Sequence, residues 1–414
     1  MNEKVKKAIN ECLNCKNPTC ILGCPVHNNI PKFIELAKNN SIDEAYIELS
    51  KTTTLPSICS LVCPSENQCK GHCIKNKINK PVNIPLIENY IALNANKVKP
   101  DIISNNKKVA VIGSGPAGLA CAEKLAIKGY LVDIYDKYDE AGGILTYGIP
   151  NFVLNKTIVN EKIDFIKSLG VNFIFNKELE KDIFMDSLTK EYDAIFLGFG
   201  ASIGKRMDAK NNNLKGIIDA NDFLEKMYKN NTKEFENVKS CIVIGGGNTA
   251  IDAARVAKKQ LNCEVSIVYR RSESEMPARI DEIKRAKEDN ISFNFLSNPI
   301  AYVGKDKVEE AECIKMRLVA EEGKRPRPVV IDDSNFFIKT DLVIEAISSG
   351  IDSNLTKMLE TNSWGGIVVN DKLQTSIPKV FAGGDCVSGP SLVVLAMKDG
   401  ILAANSIDEF LSGE

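Results

Sequence analysis

An excess of charge of either sign is missing from this chain: 53 Lys and Arg face 54 Asp and Glu over 414 residues, a formal net charge of −1. That balance excludes the basic excess through which nucleic-acid binders neutralise phosphates. No apolar run reaches the roughly 18–20 residues that a membrane helix needs. The opening MNEKVKKAINECLNC carries charge but lacks the apolar core of an export signal. A cytoplasmic protein with no membrane span and no nucleic-acid partner is therefore expected. Histidine is nearly absent. His27 and His72, the only two, both neighbour cysteines and read as turn residues or hydrogen-bond donors rather than ligands.

Cysteine is the opposite case. Of 13, eight (Cys12, Cys15, Cys20, Cys24, Cys59, Cys63, Cys69, Cys73) fall within the first 73 residues. Without export, such a cluster in a long chain indicates a metal or redox site rather than a disulfide framework. The spacing is Cys12-x2-Cys15-x4-Cys20-x3-Cys24-Pro, then Cys59-x3-Cys63-Pro-x4-Cys69-x3-Cys73. Thiolates this close, two of them followed by Pro, suit iron–sulfur clusters, each cubane usually taking four protein ligands. Structural zinc is the competing occupant, although its sites favour paired cysteines separated by a longer gap. Spacing does not assign each cysteine to a cluster, because in ferredoxin-like runs the last one often serves the other cluster. Cys121, Cys241, Cys263, Cys313 and Cys386 stand singly and read as packing residues.

Behind the polar segment SNNKK (104–108) the texture becomes α/β. KKVAVIGSGPAGLACAEKLAIKGYLVDIYD reads as strand, Gly-rich turn, helix and strand, and CIVIGGGNTAIDAARVAKKQLNCEVSIVYRR repeats the design. Two βαβ units imply two dinucleotide-binding domains. In the first, Gly113 permits a tight turn, Gly115 lets a pyrophosphate approach backbone N–H groups, and Gly118 allows close helix–strand packing, with Pro116 and Ala117 between them. Asp136 closes the second strand, where an acidic residue suits a ribose hydroxyl. In the second unit, Gly245, Gly247, Asn248, Thr249 and Ala250 repeat the turn. Its following strand ends in Arg270-Arg271, whose guanidinium groups suit a 2′-phosphate and favour NADP over NAD. Near the C-terminus Gly384-Asp385 follows a strand. Asp385 suits a ribityl hydroxyl, and the helix start at Ser391-Leu392-Val393 suits the electron-rich edge of a flavin. No C-x-x-C occurs after residue 107, which disfavours a dithiol relay.

The order of cysteine region, GSGPAG, AGGILTYGIPNF, GGGNTAIDAAR, VYRRSESEMPAR and VFAGGDCVSGPS resembles the small (β) subunit of NADPH-dependent glutamate synthase. It is equally similar to the flavin subunit of NADH-dependent ferredoxin:NADP oxidoreductase and to the N-terminal half of dihydropyrimidine dehydrogenase. The resemblance implies FAD, NADP(H) and two 4Fe–4S clusters. One cluster would be held by Cys12, Cys15, Cys20 and Cys73. The other would be held by Cys24, Cys63, Cys69 and Glu88, with Cys59 spare. Gly142, Gly143 and Leu145 match the family's flavin-contacting stretch. Ser60-Leu61 and Gly198-Phe199-Gly200-Ala201 depart from the family's usual Gly-Arg and Gly-Thr-Gly-Ala.

The expected fold is α/β, with two Rossmann-like domains behind a helical iron–sulfur domain (1–105). The NADP(H) domain (204–340) would be inserted in the FAD domain (106–203 and 341–414). The activity implied is electron input, with NADPH electrons passing through FAD and the clusters to a larger catalytic subunit or a ferredoxin-type acceptor. Hydride transfer between bound cofactors requires no acid–base side chain. A non-catalytic, zinc-stabilised nucleotide-binding scaffold is the alternative of another class.

Overall fold

A computed structural model describes residues 1–321 and 323–413; residue 414, the last of the expected flavin segment, lies outside the described residues. The cysteine-rich start folds into helices α1 (Glu3–Asn10), α2 (Thr19–Leu22), α3 (Ile30–Lys38), α4 (Ile42–Ser50), α5 (Pro56–Val62) and α6 (Ile84–Asn94). Proline opens α3, α5 and α6, where its missing N–H would have no helical acceptor in any case. The apolar residues across 33–50 recur at helical spacing, and the segment forms two helices, α3 and α4. Asn40 between them adopts φ +63°, a left-handed conformation that asparagine tolerates and a continuous helix does not.

The first α/β stretch runs β1 (Lys108–Ile112), α7 (Pro116–Ile127), β2 (Leu131–Tyr135), α8 (Lys156–Ser168), β3 (Asn172–Ile174), α9 (Met185–Glu191) and β4 (Ala194–Leu197). The chain then enters a second unit, with strands β5 (Ile203–Gly204) and β6 (Ile217–Asp219), helix α10 (Ala220–Tyr228) and strand β7 (Ser240–Ile244). Next come α11 (Asn248–Val256), β8 (Glu264–Tyr269), α12 (Ile280–Glu288) and β9 (Ser292–Phe295). An antiparallel layer follows, of β10 (Ser297–Val303), β11 (Glu310–Glu321), β12 (Lys324–Val330) and β13 (Phe336–Lys339), before β14 (Leu342–Glu345) and β15 (Ser349–Gly350). The return supplies β16 (Val380–Ala382), α13 (Asp385–Ser388) and α14 (Val393–Ser412). Compactness divides the described chain into residues 1–146, 151–201 and 351–413 on one side and 147–150 and 202–350 on the other.

In the first unit the sheet order is β16-β4-β1-β2-β3, with every pairing parallel. Strands β1 and β4 are buried almost throughout, as expected where helices cover both faces of a parallel sheet. In the second unit the order is β6-β14-β7-β8-β9, again parallel. The second sheet corrects the expected domain border. DLVIEAI (341–347) reads as the start of the returning flavin segment, but β14 pairs with β6 and β7, so the border falls after Gly350. An apolar run of this kind fits any buried parallel strand, and only its partners decide which sheet receives it. Strand β15 pairs antiparallel with β5, joining the two stretches of chain through which the second unit is inserted.

Candidate cofactor sites

Cys12, Cys15, Cys20 and Cys73 line a single cavity open to solvent, with Ile30, Ile34 and Ile84 among its apolar walls. All four are partly exposed. They come from the loop after α1, the first turn of α2 and the residue before the helical turn Ile74–Ile78, so the cavity joins both ends of the cysteine region. Burial pushes the Cys20 thiol up to about 11, with Cys73 and Cys12 adding to the effect. Burial likewise raises Cys12, beside Cys15 and Cys73.

Cys24, Cys63, Cys69 and Glu88 form a second group, which Cys59 joins. Cys24, Cys59 and Cys69 are buried. Burial raises the thiols of Cys24 and Cys69, and the Glu88 carboxylate raises both further. Cys63 is raised first by its hydrogen bond with Cys59, one turn earlier on α5, and then by burial. Glu88 lies on α6, 8% exposed, and burial alone pushes its carboxyl up to about 8. Asn89 fixes this turn of α6 against α5, its Nδ2 donating to Ser60 Oγ at 3.0 Å; Ser60 is one of the departures from the family pattern. A buried carboxylate among thiols, with no cation beside it, is costly unless a positive group enters. The donor set therefore fits a cationic iron–sulfur cluster. Among the described residues no three His, Cys, Asp or Glu side chains converge as a single metal ion requires. The first four thiols instead stand around a cavity, the arrangement a polynuclear cluster needs. Neither histidine joins the groups. His27 Nδ1 lies 3.3 Å from the Ile21 carbonyl and His72 Nδ1 2.8 Å from that of Gln68.

The loop from β1 to α7 has the geometry its glycines imply. Gly113 adopts φ +98°, and a Cβ there would lie 2.6 Å from the Gly198 carbonyl oxygen. A Cβ on Gly118 would lie 1.8 Å from the Gly113 oxygen, whereas one on Gly115 would meet nothing within 4 Å. Two glycines are thus required by packing, and the middle one faces open space at the helix N-terminus, where Pro116 and Ala117 begin α7. Asp136 is buried at the end of β2. Its Oδ2 accepts from Ser114 N at 2.7 Å and Ser114 Oγ at 2.5 Å, and its Oδ1 accepts from Tyr138 N at 2.9 Å. Gly142 N donates to Ser114 O at 3.1 Å, and a Cβ on Gly143 would come 3.0 Å from Gly115 Cα. Leu145 is fully buried. The Gly142–Gly143 turn therefore lies directly against the loop.

The C-terminal motif arrives at the same place. A Cβ on Gly384, at φ +77°, would lie 3.1 Å from Ala117 Cβ, and Gly384 N donates to Asp399 Oδ2 at 2.9 Å. Asp385 Oδ1 accepts from Ser391 N at 3.3 Å. Burial pushes Asp385 up to about 6, with Asp399 adding to it. Leu392 opens α14 without a side-chain cap, leaving the N–H groups that begin at Val393 available to an acceptor. Sequence reasoning missed Ser114 and Asp399. Both are small polar contributions to backbone geometry, without spacing that would reveal them.

In the second unit a Cβ on Gly245 would lie 2.3 Å from the Ala346 oxygen, and Gly247 is nearly open. Asn248 and Thr249 begin α11, and Ala250, buried against Gly245, takes the packing position. Asn248 Oδ1 accepts from Arg279 N at 2.9 Å. The expected arginines differ in setting. Arg270 is exposed, while Arg271 is partly buried and donates from Nε to Pro326 O at 3.0 Å. A third guanidinium was missed: Arg325 Nη2 donates to Tyr269 OH at 2.6 Å, beside the same strand end. It belongs to β12, in the antiparallel layer that no motif signals.

Residues 107–400 match the pyridine nucleotide-disulphide oxidoreductase family, and residues 1–99 match dihydropyrimidine dehydrogenase domain II, 4Fe-4S cluster. The chain is 35% identical over 432 residues to the glutamate synthase [NADPH] small chain of Escherichia coli (strain K12), covering 99% of this chain and 92% of that one. It is 33% identical over 424 residues to the NADP(+)-dependent formate dehydrogenase subunit beta of Moorella thermoacetica, of which it spans 60%. Its fold is shared with FprA of Mycobacterium tuberculosis in complex with NADPH, at a TM-score of 0.65 and 19% identity over 75% of this chain and 85% of that one. With the glycine loops and the paired cysteine groups, these matches mean that the chain belongs to the pyridine nucleotide-disulphide oxidoreductases and to the family of the glutamate synthase small chains, with its first 99 residues matching the 4Fe-4S domain family.

Proposed function

We propose that this chain is an electron-input subunit of the glutamate synthase small-chain type, which takes electrons from NADPH and delivers them singly to a partner. One observation carries the reading: two groups of thiols share a compact unit with the Gly113–Gly118 loop. Bound flavin supplies the conversion of a two-electron hydride into single electrons, and 4Fe–4S clusters supply one-electron conduction. The chain's own residues bind and orient. Gly115 and the start of α7 cradle the pyrophosphate, Asp136 takes the ribose, Gly142, Gly143 and Leu145 wall the flavin, and Asp385 with the first turn of α14 holds its far side. Gly245, Gly247 and Asn248–Ala250 receive the second dinucleotide, and Arg270 and Arg271 its 2′-phosphate. Cys12, Cys15, Cys20 and Cys73 hold one cluster. Cys24, Cys63, Cys69 and Glu88 hold the other. These positions form the FAD, NADP(H) and cluster segments, with the second border moved to Gly350. A larger catalytic chain, or a ferredoxin-type acceptor, completes the reaction. Among the described residues no helix is long and apolar enough to cross a membrane.

The test is anaerobic purification followed by iron, sulfide and flavin assay and titration with NADPH and NADH. Iron, acid-labile sulfide and a flavin band bleached faster by NADPH than by NADH are expected, with Arg270→Ala plus Arg271→Ala abolishing the difference. Zinc without visible absorbance would sink the reading. The co-purifying chain identifies the partner.

A further inference from the structure

The two cysteine groups differ in how they meet solvent. Cys12, Cys15, Cys20 and Cys73 are all partly exposed around their cavity, while in the second group Cys24, Cys59 and Cys69 are buried and Cys63 alone is partly exposed. Exchange with another protein is therefore favoured at the first group. Large apolar side chains are exposed around it. Leu13 and Ile74 line the cavity and are 64% and 47% exposed, and Leu22 and Ile78, at the ends of the two short helices that supply its walls, are 73% and 64% exposed. Those helices are neighbours, since Thr19 Oγ1 donates to His72 O at 2.5 Å and Gly23 packs on the His72 ring. Four exposed apolar side chains together mark an interaction surface rather than scattered surface leucines.

Its charge is one-sided. Between residues 67 and 87 the sequence has Lys70, Lys75, Lys77 and Lys80 and no Asp or Glu; between 12 and 34 it has Lys16 and Lys32 and again no acid, although Lys32 is paired with Glu35 at 3.2 Å and adds nothing to the excess. Lys16, Lys77 and Lys80 are exposed. In a chain whose charges otherwise cancel, this segregation is a local feature that composition hides. We infer that the mouth of the Cys12–Cys15–Cys20–Cys73 cavity is the docking surface for a redox protein with an acidic face, whose rim meets these lysines while its centre covers Leu13, Leu22, Ile74 and Ile78. Complementary charge would steer the encounter and set its orientation, and the apolar centre would exclude water from the contact. The inference rests on the proposed electron-input role and adds where the partner binds and what its surface carries.

The experiment uses the holoenzyme and two probes, an oxidised acidic plant-type ferredoxin and the basic protein cytochrome c, with binding measured by calorimetry at low salt and at about 0.3 M salt. Ferredoxin is expected to bind at low salt and weaken as salt rises, and cytochrome c is expected not to bind. Lys77→Glu with Lys80→Glu should weaken ferredoxin binding roughly tenfold or more. Leu22→Ser with Ile78→Ser should weaken it without removing its salt dependence. Lys75 is left in place because its Nζ holds the Glu11 carbonyl at 3.1 Å. NADPH-dependent ferricyanide reduction, unchanged in all variants, reports an intact flavin side. Ferredoxin binding indifferent to salt and to the lysine reversal, or equal binding of cytochrome c, overturns the inference. Failure of NADPH to bleach the flavin would instead overturn the electron-input role, so the two failures are distinct.

Discussion

Glu88 shows how a single residue can be read through its cost. A carboxyl held near 8 by burial alone has no cation to offset it, and the residues around it are thiols. Counting cysteines would have made Cys59 the eighth ligand, and Cys59 does lie in the group, hydrogen-bonded to Cys63. Glu88→Ala should therefore lose about half the protein's iron and sulfide if two cubanes are bound, while Cys59→Ser keeps both. Iron analysis with low-temperature paramagnetic resonance checks this, and loss of a cluster only from Cys59→Ser would reverse the assignment. Asp385 gives a pH dependence with a definite sign. Its folded value of about 6 lies above its ordinary 3.8, so the native state retains a proton that the unfolded chain has released. This contribution to stability is fully present below about pH 4, is lost as pH rises to about 6, and changes no further above that, about 3 kcal/mol in total. In flavin-free protein, urea midpoints should show a falling component across that window that Asp385→Asn removes.

At the scale of elements, each glycine loop is one strand-to-helix turn in which some glycines serve packing and one faces a ligand. Gly118→Ala places a methyl 1.8 Å from a backbone oxygen in the core of the first unit, and should cost about 3 kcal/mol or prevent folding. Gly115→Ala meets nothing within 4 Å, so the fold should tolerate it while flavin affinity falls tenfold or more, roughly the effect of blocking a close backbone approach. Thermal unfolding of flavin-free protein and fluorescence titration with FAD separate the two, and an equal loss of stability in both variants would contradict the division of roles. These turns were legible because βαβ units combine buried apolar runs with glycines at fixed offsets. The antiparallel strands β10 to β13 were not. The long central strand β11 alternates irregularly in burial, with register shifts at Pro299–Ala301 and Val319–Glu321, so the layer shows no sustained two-residue period to detect. Arg325 was lost with them, because its position beside Tyr269 depends on a hairpin rather than on spacing. The apolar spacing likewise did not mark the break at Asn40.

For the whole molecule, the cysteine region and the first α/β stretch form one body. Thr53 Oγ1 donates to Met397 Sδ of α14 at 3.1 Å, Lys124 Nζ of α7 donates to Ser50 O at 3.0 Å, and Lys162 meets Glu123 at 2.5 Å between α8 and α7. Helix α14 lies so close to α7 that a Cβ on Gly400 would stand 2.1 Å from Ala117 O, at the first turn of the helix that would face FAD. Fold class and insertion were legible because each unit carries one of the two repeated motifs and the Gly384-Asp385 segment returns the chain to the first. The border was not, because β14 is chosen by its neighbours on either side. A construction of this kind separates electron uptake from electron delivery: the glycine loops need no thiol, and the thiol groups contribute no residue to the loops. Replacing Cys12 and Cys15 by serine should therefore leave NADPH-dependent reduction of ferricyanide, which can draw electrons from flavin, within about twofold of the parent. Delivery to a protein partner should fall about a hundredfold or more, equivalent to roughly 3 kcal/mol in the activation barrier. Side-by-side turnover with the two acceptors reads the ratio directly. Parallel loss of both activities with flavin still bound would mean that the cysteine region supports the nucleotide sites rather than the outlet.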